Sequence, residues 1–444
     1  MGDLEALTEY QIQDMYYLRK ITSLGDRFPI RVQQDIYSHT GIKLVGAGTH
    51  IGSSHHEKLL RHKLLPSLDH ALGIENAVSS PSLMEAARVL LEVSGACPAF
   101  MRESLPERPA LMDVLAQIPL PPPIAFKLTV MRETQADLFH RSLFISLVCA
   151  HAGMRLGLEE QQVIRLATAA LLHDIGLMHV DPQLLAPEHR MTDLERRHLY
   201  THPITAWLIL KNCQEYSPEV LQGVLQHHER LDGSGYPSGL QTEDTGLFGR
   251  LIGMAEIVAS CYLRHRLQSS RTSLETILKL NQQQYGAGLL HAFKPFYDQG
   301  TGHSSDEFPT QVDLERLRPR FVCMVTAFAS WNAIKTQLTP DHAMCRFLRD
   351  RMSCMRREAT AAGLSPDLNV NDLMIHHQDP QSCEEALAVL NEMRWQIRNL
   401  FRELKRRWPA LDNDTTDPDF STVSQWIREV EQLIQSEPDP HPPS

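Results

Sequence analysis

Residues 163–176 read VIRLATAALLHDIG, an apolar helical pattern that ends in a histidine and an aspartate. Apolar residues recur at intervals of three and four from Val163 to Leu171, which predicts a helix with one buried face. His173 and Asp174 follow directly at the end of this pattern. A buried carboxylate needs a partner, because an unpaired charge is costly away from water. The stretch therefore predicts a helical fold with an ionisable site in its core.

Histidines and a glutamate lie among apolar residues at several other points. His140 shares its helical spacing with Leu143 and Leu147, which predicts an inward position, and Glu256 extends the apolar run 251–255. Imidazole nitrogens together with carboxylate oxygens suit Fe, Mn, Zn or Co, whereas Ca and Mg prefer oxygen ligands. For the whole set, a shared cation site is favoured over core residues that are each hydrogen-bonded separately. The predicted ligands are His140, His173, Asp174, His202, His227, His228 and Glu256.

The composition is that of an ordinary globular protein. The 444 residues include 43 Lys+Arg and 54 Asp+Glu, so the formal net charge is −11, which disfavours a protein that binds DNA through a broad basic surface. None of the eight cysteines forms a C-x-x-C pair, which favours a reducing compartment. The sequence shows no signal-peptide pattern and no run of 18 apolar residues. We therefore expect a cytoplasmic protein without membrane insertion.

The chain is long enough for more than one domain, and we expect a mainly α fold. A small mixed α/β region, an interaction or sensory domain, is predicted for residues 1–120, and Pro121-Pro122-Pro123 begin the next domain. An all-helical domain is predicted for residues 121–300 and a helical C-terminal region for 301–435. The apolar stripe from Leu387 to Trp408 is interpreted as a packed helix face. Residues 436–444 are predicted to be a disordered tail.

The motifs of residues 129–266, roughly a third of the chain, resemble those of the HD-GYP family of metal-dependent phosphohydrolases. The most specific of them is HHERLDGSGYPSGL at residues 227–240. The others are His140-Arg141-Ser142, the stretch 171–176 and His202-Pro203. The resemblance implies an all-helical HD-type domain that hydrolyses cyclic di-GMP, a bacterial second messenger, to linear pGpG and/or GMP. It also implies attack on phosphorus by a metal-bound hydroxide, with two divalent ions, Fe or Mn, as cofactors.

The resemblance assigns a role to each matching residue. One metal would be held by His140, His173, Asp174 and Glu256, and Asp174 would bridge to a second metal. That second metal would be held by His202, His227 and His228. Asp174 and His173 would be the catalytic residues. The expected substrate-binding residues are Asp232, Gly235, Tyr236, Pro237 and Arg264.

Three positions depart from the family pattern. Leu177 stands where HD-x-G-K members have a lysine that reaches substrate phosphate, and Glu256 with Ala259 replaces a pair of aspartates. Ala136 stands where members with a third metal have glutamate, which predicts two metals. A lost cation would cost a few kcal/mol of transition-state stabilisation, so we expect reduced hydrolysis. The alternatives are a degenerate domain that binds cyclic di-GMP or a protein signalling partner, and a phosphohydrolase for another nucleotide.

Overall fold

Short strands and helices alternate near the N-terminus. The computed structural model describes residues 9–92, 108–186, 189, 191–241, 244–263, 271–297, 314–369, 380–412 and 416–435. In the first range the strands are β1 (Ile30–Val32), β2 (Ile36–Ser38), β3 (Lys43–Val45), β4 (Leu64–Leu65) and β5 (Leu72–Ile74). The helices of that range are α1 (Glu9–Gly25), α2 (His56–Leu60), α3 (Leu68–Ala71) and α4 (Ser80–Glu92). The small mixed region predicted here is confirmed.

The strands form two small antiparallel sheets. One pairs β1 with β5, so that Ile30 lies opposite Ile74, and the other has the order β3-β2-β4. In β1, Ile30 and Val32 are buried while Arg31 is exposed. This alternation is what a strand produces when one face packs on a core and the other faces water.

The next part of the chain is helical and carries most of the predicted site residues. Its helices are α5 (Arg108–Ala116), α6 (Pro122–Thr134), α7 (Ala136–Arg155), α8 (Glu160–Leu172), α9 (Asp193–Leu199), α10 (His202–Cys213), α11 (Pro218–Gln226) and α12 (Leu247–Leu263). Helix α6 begins directly after Pro121, where a proline at the first helical position costs no hydrogen bond. Helix α8 packs against α7 and α11, and α11 also packs against α10 and α12. The ends of α8, α10 and α11 meet at the site described below.

The C-terminal part is again helical. Its helices are α13 (Arg271–Leu280), α14 (Gln282–Tyr285), α15 (Leu314–Ile334), α16 (Ala343–Ala361), α17 (Pro380–Arg407) and α18 (Pro418–Gln435). In α17, Leu390, Met393 and Leu404 are buried in a core that also contains Trp426, so the predicted packing of this stripe is confirmed.

The mainly α fold class is confirmed. The chain divides into two compact units, residues 1–264 and 265–442. The predicted tail, residues 436–444, lies outside the described residues. None of the helices that could be described is both long enough and apolar enough to cross a membrane.

Candidate metal centre

Three of the predicted ligands stand at helix ends. His173 is the C-terminal cap of α8, His227 is the C-terminal cap of α11, and His202 is the first residue of α10, followed by Pro203. The ring centroids of His173 and His227 are 4.9 Å apart, and those of His202 and His227 are 5.3 Å apart. A helix C-terminus carries partial negative charge, so α8 and α11 both favour a cation at this point.

The Nδ1 atoms of these three histidines are all held in the same way. His173 Nδ1 donates to the Ala170 carbonyl oxygen at 2.7 Å, and His227 Nδ1 donates to the Val224 carbonyl at 2.7 Å. His202 Nδ1 donates to the Leu199 carbonyl at 2.8 Å. A carbonyl oxygen only accepts hydrogen bonds, so each Nδ1 must carry the hydrogen. In the neutral imidazole the Nε2 lone pair is then available to a metal, and its direction is fixed.

The Nε2 atoms converge on Asp174. Asp174 Oδ1 lies 3.3 Å from His202 Nε2 and 3.8 Å from His227 Nε2, and Asp174 Oδ2 lies 3.1 Å from His173 Nε2. The Nε2 atoms of His202 and His227 are 3.2 Å apart. Lone pairs at these distances repel one another unless a proton or a cation lies between them. The donor set therefore fits a divalent cation.

Two groups of ligand atoms share Asp174. In the first, Asp174, His202, His227 and His228 offer atoms that all lie within 4.8 Å of one another. In the second, the same is true of His173, Asp174 and Glu256. A shared carboxylate between two such groups is the arrangement that a binuclear centre requires.

The ionisation of these groups reflects their burial and their mutual contacts. Burial opposes the charged form of Asp174, but the charge and hydrogen bonds of His173 and His202 hold its pKa well below the usual range. The pKa of His173 is raised, because Asp174 and Glu256 outweigh its desolvation. Burial lowers the pKa of His227 and of His228 well below that of a free imidazole. His227 and His228 are therefore neutral at pH 7, which is the form that binds a metal.

Glu256 extends the group but has a competing partner. Its Oε1 lies 3.8 Å from His173 Nε2, and its Oε2 lies 3.5 Å from His228 Nδ1. Arg141 Nη2 donates to Glu256 Oε1 at 3.2 Å. Burial raises the pKa of Glu256, while Arg141 and His173 oppose that shift. Sequence reasoning gave Arg141 no role, although it stands beside His140 in a quoted motif.

His140 is exposed, contrary to the inward position predicted from its spacing. Leu143 and Leu147, on the same helix, are fully buried. His140 lies in the second turn of α7, which begins at Ala136, and its ligand atoms belong to neither group around Asp174. The neighbouring Phe139 is 1% exposed, so the core reaches this turn of the helix but does not include His140.

The GSGYP segment forms a tight loop beside His228. Gly233 has φ +74°, a conformation that side chains rarely adopt. A Cβ atom at Gly235 would lie 2.4 Å from the Glu229 Cα and the His228 carbonyl oxygen, so only glycine fits. The Tyr236 ring stacks on His228 at 4.5 Å and on Tyr200 at 4.1 Å between centroids. Tyr236 thereby joins the predicted nucleotide loop to a predicted metal ligand.

A buried glutamate anchors this loop. Glu229 is fully buried, and its carboxylate accepts hydrogen bonds from the backbone nitrogens of Ser238 at 2.6 Å and Leu240 at 2.9 Å. Asp232 Oδ1 accepts from the Ser234 nitrogen at 2.9 Å, which shapes the loop locally. Sequence reasoning overlooked Glu229, although it follows the histidine pair directly. Of the other predicted substrate-binding residues, Pro237 lies in the loop with Gly235 and Tyr236, and Arg264 lies outside the described residues.

Gly176 and Leu177 form part of the turn that follows Asp174. Gly176 packs directly against the start of α10, where a Cβ atom would lie 2.1 Å from the His202 carbonyl oxygen. Leu177, at the position of the family lysine, is 7% exposed and packs with Val180 and Leu184. The side chain at 177 thus contributes apolar packing to the turn.

A second cluster of ionisable side chains, which the sequence analysis did not predict, contacts the turn that follows Asp174. Several of its residues come from the N-terminal part of the chain. The Lys127 side chain is 1% exposed, and its Nζ lies 2.9 Å from Asp69 Oδ2 and 3.1 Å from His179 Nε2. Lys127 Nζ also lies 3.3 Å from the centroid of the Tyr17 ring, and Tyr17 donates a hydrogen bond to Asp69. In addition, Lys20 Nζ donates to the Met178 carbonyl at 2.7 Å. Residues from α1, α3 and α6 therefore hold the turn that follows Asp174.

With this geometry established, comparison with known proteins gives the family. Residues 122–289 match the family described as HD domain. This part of the chain is similar to an HD domain. The cyclic di-GMP phosphodiesterase PA4108 of Pseudomonas aeruginosa is 28% identical to it over 145 residues, which cover 33% of this chain and 35% of that protein.

Two further relatives match stretches of similar length. The cyclic di-GMP phosphodiesterase response regulator RpfG of Xanthomonas campestris is 33% identical over 120 residues, 26% of this chain and 32% of that protein. The 3′3′-cGAMP-specific phosphodiesterase 1 of Vibrio cholerae is 28% identical over 152 residues, 34% of this chain and 35% of that protein. The match thus spans about a third of the length of these relatives. The resemblance of the HD domain to the HD-GYP family is confirmed.

Proposed function

We propose that the HD domain is a metal-dependent phosphodiesterase that hydrolyses cyclic di-GMP to linear pGpG and/or GMP. The observation that carries this proposal is the pair of ligand groups that share Asp174, with neutral imidazoles on one side and Glu256 on the other. The names of the relatives support it, because they act on cyclic dinucleotides. Within the proposal, two divalent ions, Fe or Mn, occupy the two groups.

The ligands already have the orientation that this chemistry needs. His202, His227, His228 and Asp174 would hold one ion, and His173, Asp174 and Glu256 would hold the other. Bound ions would supply Lewis-acid stabilisation of phosphoryl charge and a more acidic water. The backbone carbonyls of Leu199 and Val224 fix the imidazole directions, so little reorganisation is needed on binding.

The GSGYP loop is proposed to bind the nucleobase end of the substrate. Tyr236 is partly exposed, and its ring is stacked between His228 and Tyr200, so its edge and hydroxyl group are proposed to contact the nucleobase next to the ligand groups. The two backbone hydrogen bonds to Glu229 keep Pro237 and its neighbours in place. We propose that Gly235 lets the loop approach the metal ligands closely, because no larger residue fits there.

Within the part of the domain that the structure describes, the charges of Arg141 and Arg230 act on Glu256. Leu177 gives no charge where the family has lysine, and it packs with Val180 and Leu184. Arg141, 31% exposed, contacts the ligand groups through Glu256. Hydrolysis is therefore expected to depend on the metals for most of its positive charge and to be slower than in members with the lysine.

The direct test is hydrolysis by the full chain loaded with Fe(II) or Mn(II). Cyclic di-GMP should be converted to pGpG or GMP, and Asp174→Asn should abolish both turnover and metal binding. The exposed Asp193 in the first turn of α9 offers a matched control, because Asp193→Asn should change neither. A panel that includes 3′3′-cGAMP identifies the substrate. If the protein prefers another cyclic dinucleotide, the proposed reaction, hydrolysis of a phosphodiester, stands, and the proposed substrate is wrong.

A second candidate is a degenerate HD domain that binds cyclic di-GMP or a protein partner without hydrolysis. It is favoured by two observations, the buried Leu177 and the Arg141 guanidinium that already neutralises Glu256. Saturable binding of the dinucleotide by metal-loaded protein, with no product after prolonged incubation, would support it. Turnover that Asp174→Asn abolishes would exclude it.

We further propose the domain limits 1–120, 121–300 and 301–435 and a cytoplasmic location, where this second messenger would be found. The location is supported by cysteines spaced without a disulfide pattern. The N-terminal region is proposed to receive a signal, since its residues Lys20 and Tyr17 contact the turn that follows Asp174. Protein signalling partners would act through these flanking regions.

A further inference from the structure

A second cluster of metal-ligating side chains lies outside residues 122–289, in the C-terminal unit. His342 is the N-terminal cap of α16, Cys345 lies in the first turn of that helix, and Asp419 lies in the first turn of α18. The two helix starts come from distant parts of the sequence. A His-x-x-Cys spacing alone is a weak signal, and only the fold brings Asp419 to it.

The ligand atoms lie at distances close to those of a zinc site. One atom each of His342, Cys345 and Asp419 lies within 4.8 Å of the other two. Cys345 Sγ is 3.8 Å from His342 Nδ1. In a tetrahedral site with Zn–S of about 2.3 Å and Zn–N of about 2.0–2.1 Å, these two atoms would be about 3.6 Å apart. Cys345 and His342 therefore need a movement of only a few tenths of an ångström to hold the ion.

The surroundings orient the cluster and exclude most water from it. Cys345 is fully buried, and Asp419 is 8% exposed. The Thr339 backbone nitrogen donates to Asp419 Oδ1 at 3.0 Å, which fixes the carboxylate. The His342 ring meets the Phe420 ring edge-on, at 5.4 Å between centroids. Ligands held by outer hydrogen bonds and packing in this way are typical of protein metal sites.

The chemistry of the ligands selects the ion. A thiolate and a carboxylate together balance a divalent charge, and the imidazole is neutral. Sulfur and nitrogen ligands suit zinc and exclude Ca and Mg. Burial raises the pKa of the Cys345 thiol to about 11, so the ion has to displace a proton from it. The Arg349 guanidinium, which lies one turn further along α16, favours the thiolate.

We propose that His342, Cys345 and Asp419 bind one zinc ion, with the fourth position open to water. The ion would join the first turn of α16 to the first turn of α18. It would be separate from the ions of the HD domain, since it uses no residue of residues 122–289. It would tie together two helices of the same core.

The test uses the full chain and Co(II) as a spectroscopic probe for zinc. Thiolate ligation to Co(II) gives a charge-transfer band in the near ultraviolet that oxygen and nitrogen ligands do not give. We expect Co(II), added beyond the two equivalents that the HD domain would bind, to produce this band in the wild type and zinc to abolish it. Cys345→Ser should lose the band and bind one equivalent of zinc less by elemental analysis. Cys354→Ser is the matched control, because Cys354 is a half-buried cysteine on the same helix. This variant should retain the Co(II) band and the bound zinc.

A variant that fails to fold would be recognised by circular dichroism. In that case His342→Gln is tested instead, because His342 is only half-buried and its replacement should leave the helix content unchanged. This variant should lose most of the Co(II) band. The proposal is overturned if folded wild type gives no band, or if folded Cys345→Ser keeps the band and the zinc. Loss of cyclic di-GMP hydrolysis would not bear on it, so the two proposals are tested separately.

Discussion

Gly176→Ala should disturb the metal centre without removing any ligand. The Cβ atom of alanine would lie 2.1 Å from the His202 carbonyl oxygen and 2.9 Å from the Ala206 nitrogen, both of which are backbone atoms. Ordinary contact begins near 3.4 Å, so the start of α10 must move by about 1.3 Å or the turn after Asp174 must move instead. Either movement changes the distance between His202 Nε2 and Asp174 Oδ1, which is 3.3 Å in the wild type.

The expected magnitude has two parts. Overpacking of this kind typically costs about 1–3 kcal/mol of unfolding free energy. Misplacement of a ligand by about 1 Å should lower metal affinity by about 10–100-fold, as with other changes next to a metal ligand. Metal affinity is measured by competition with a chelator, and stability by thermal unfolding of the metal-free protein.

The matched control is Gly288→Ala. No atom lies within 4 Å of a Cβ built at Gly288, so alanine should fit there and leave metal affinity unchanged. Wild-type metal affinity and wild-type activity in Gly176→Ala would refute the argument, because it would mean that the spacing of His202 and Asp174 does not determine binding.

Three other substitutions test separate parts of the structure. Lys127→Met should destabilise the protein by about 3–5 kcal/mol in thermal unfolding, because Asp69 would keep a half-buried charge without its cation. Glu229→Gln replaces one carboxylate oxygen by an amide NH2 group, which cannot accept a hydrogen bond, so one of the two loop hydrogen bonds is lost and dinucleotide affinity should fall at a cost of about 1–3 kcal/mol. Glu392→Gln should raise stability above pH 7, because burial raises the pKa of Glu392 to about 7. Between about pH 4.5 and 7 the folded wild type binds more protons than the unfolded chain, so its unfolding free energy should fall as the pH rises through that range. The variant should not show this fall.

Each of these outcomes has a control. Asp69→Asn combined with Lys127→Met should cost less than the sum of the single changes, and full additivity would show that the two side chains do not interact. Unchanged dinucleotide affinity in Glu229→Gln would mean that the loop is not part of the binding surface. The exposed Glu429 is the control for Glu392, since Glu429→Gln should leave the pH dependence of unfolding as it is.

The helical fold and the grouping of the ligands follow from local patterns in the sequence. The apolar spacing before His173 predicts α8, and the ordered motifs that include Asp174 and His227 resemble one family. A motif of contiguous residues such as 227–240 carries its own geometry, because its glycines and proline restrict the backbone in ways that few other sequences share. These parts could be predicted because the information is local.

The remaining features depend on contacts between distant segments. The partnership of Lys127 with Asp69 joins helices α6 and α3, and neither residue stands in an unusual local pattern. Arg141 was read only as part of a motif, since nothing near it in sequence indicates Glu256 as its partner. His140 was expected inside from its helical face, but it is exposed in the second turn of α7.

The central claim is that ligand groups sharing Asp174 make this HD domain a metal-dependent phosphodiesterase. The most direct measurement is metal content and cyclic di-GMP hydrolysis on one preparation of the full chain, beside Asp174→Asn. We predict two ions per HD domain and formation of pGpG or GMP in the wild type, with loss of both in the variant. A wild type that binds its metals in full yet forms no product with Fe(II) or Mn(II) would contradict the claim.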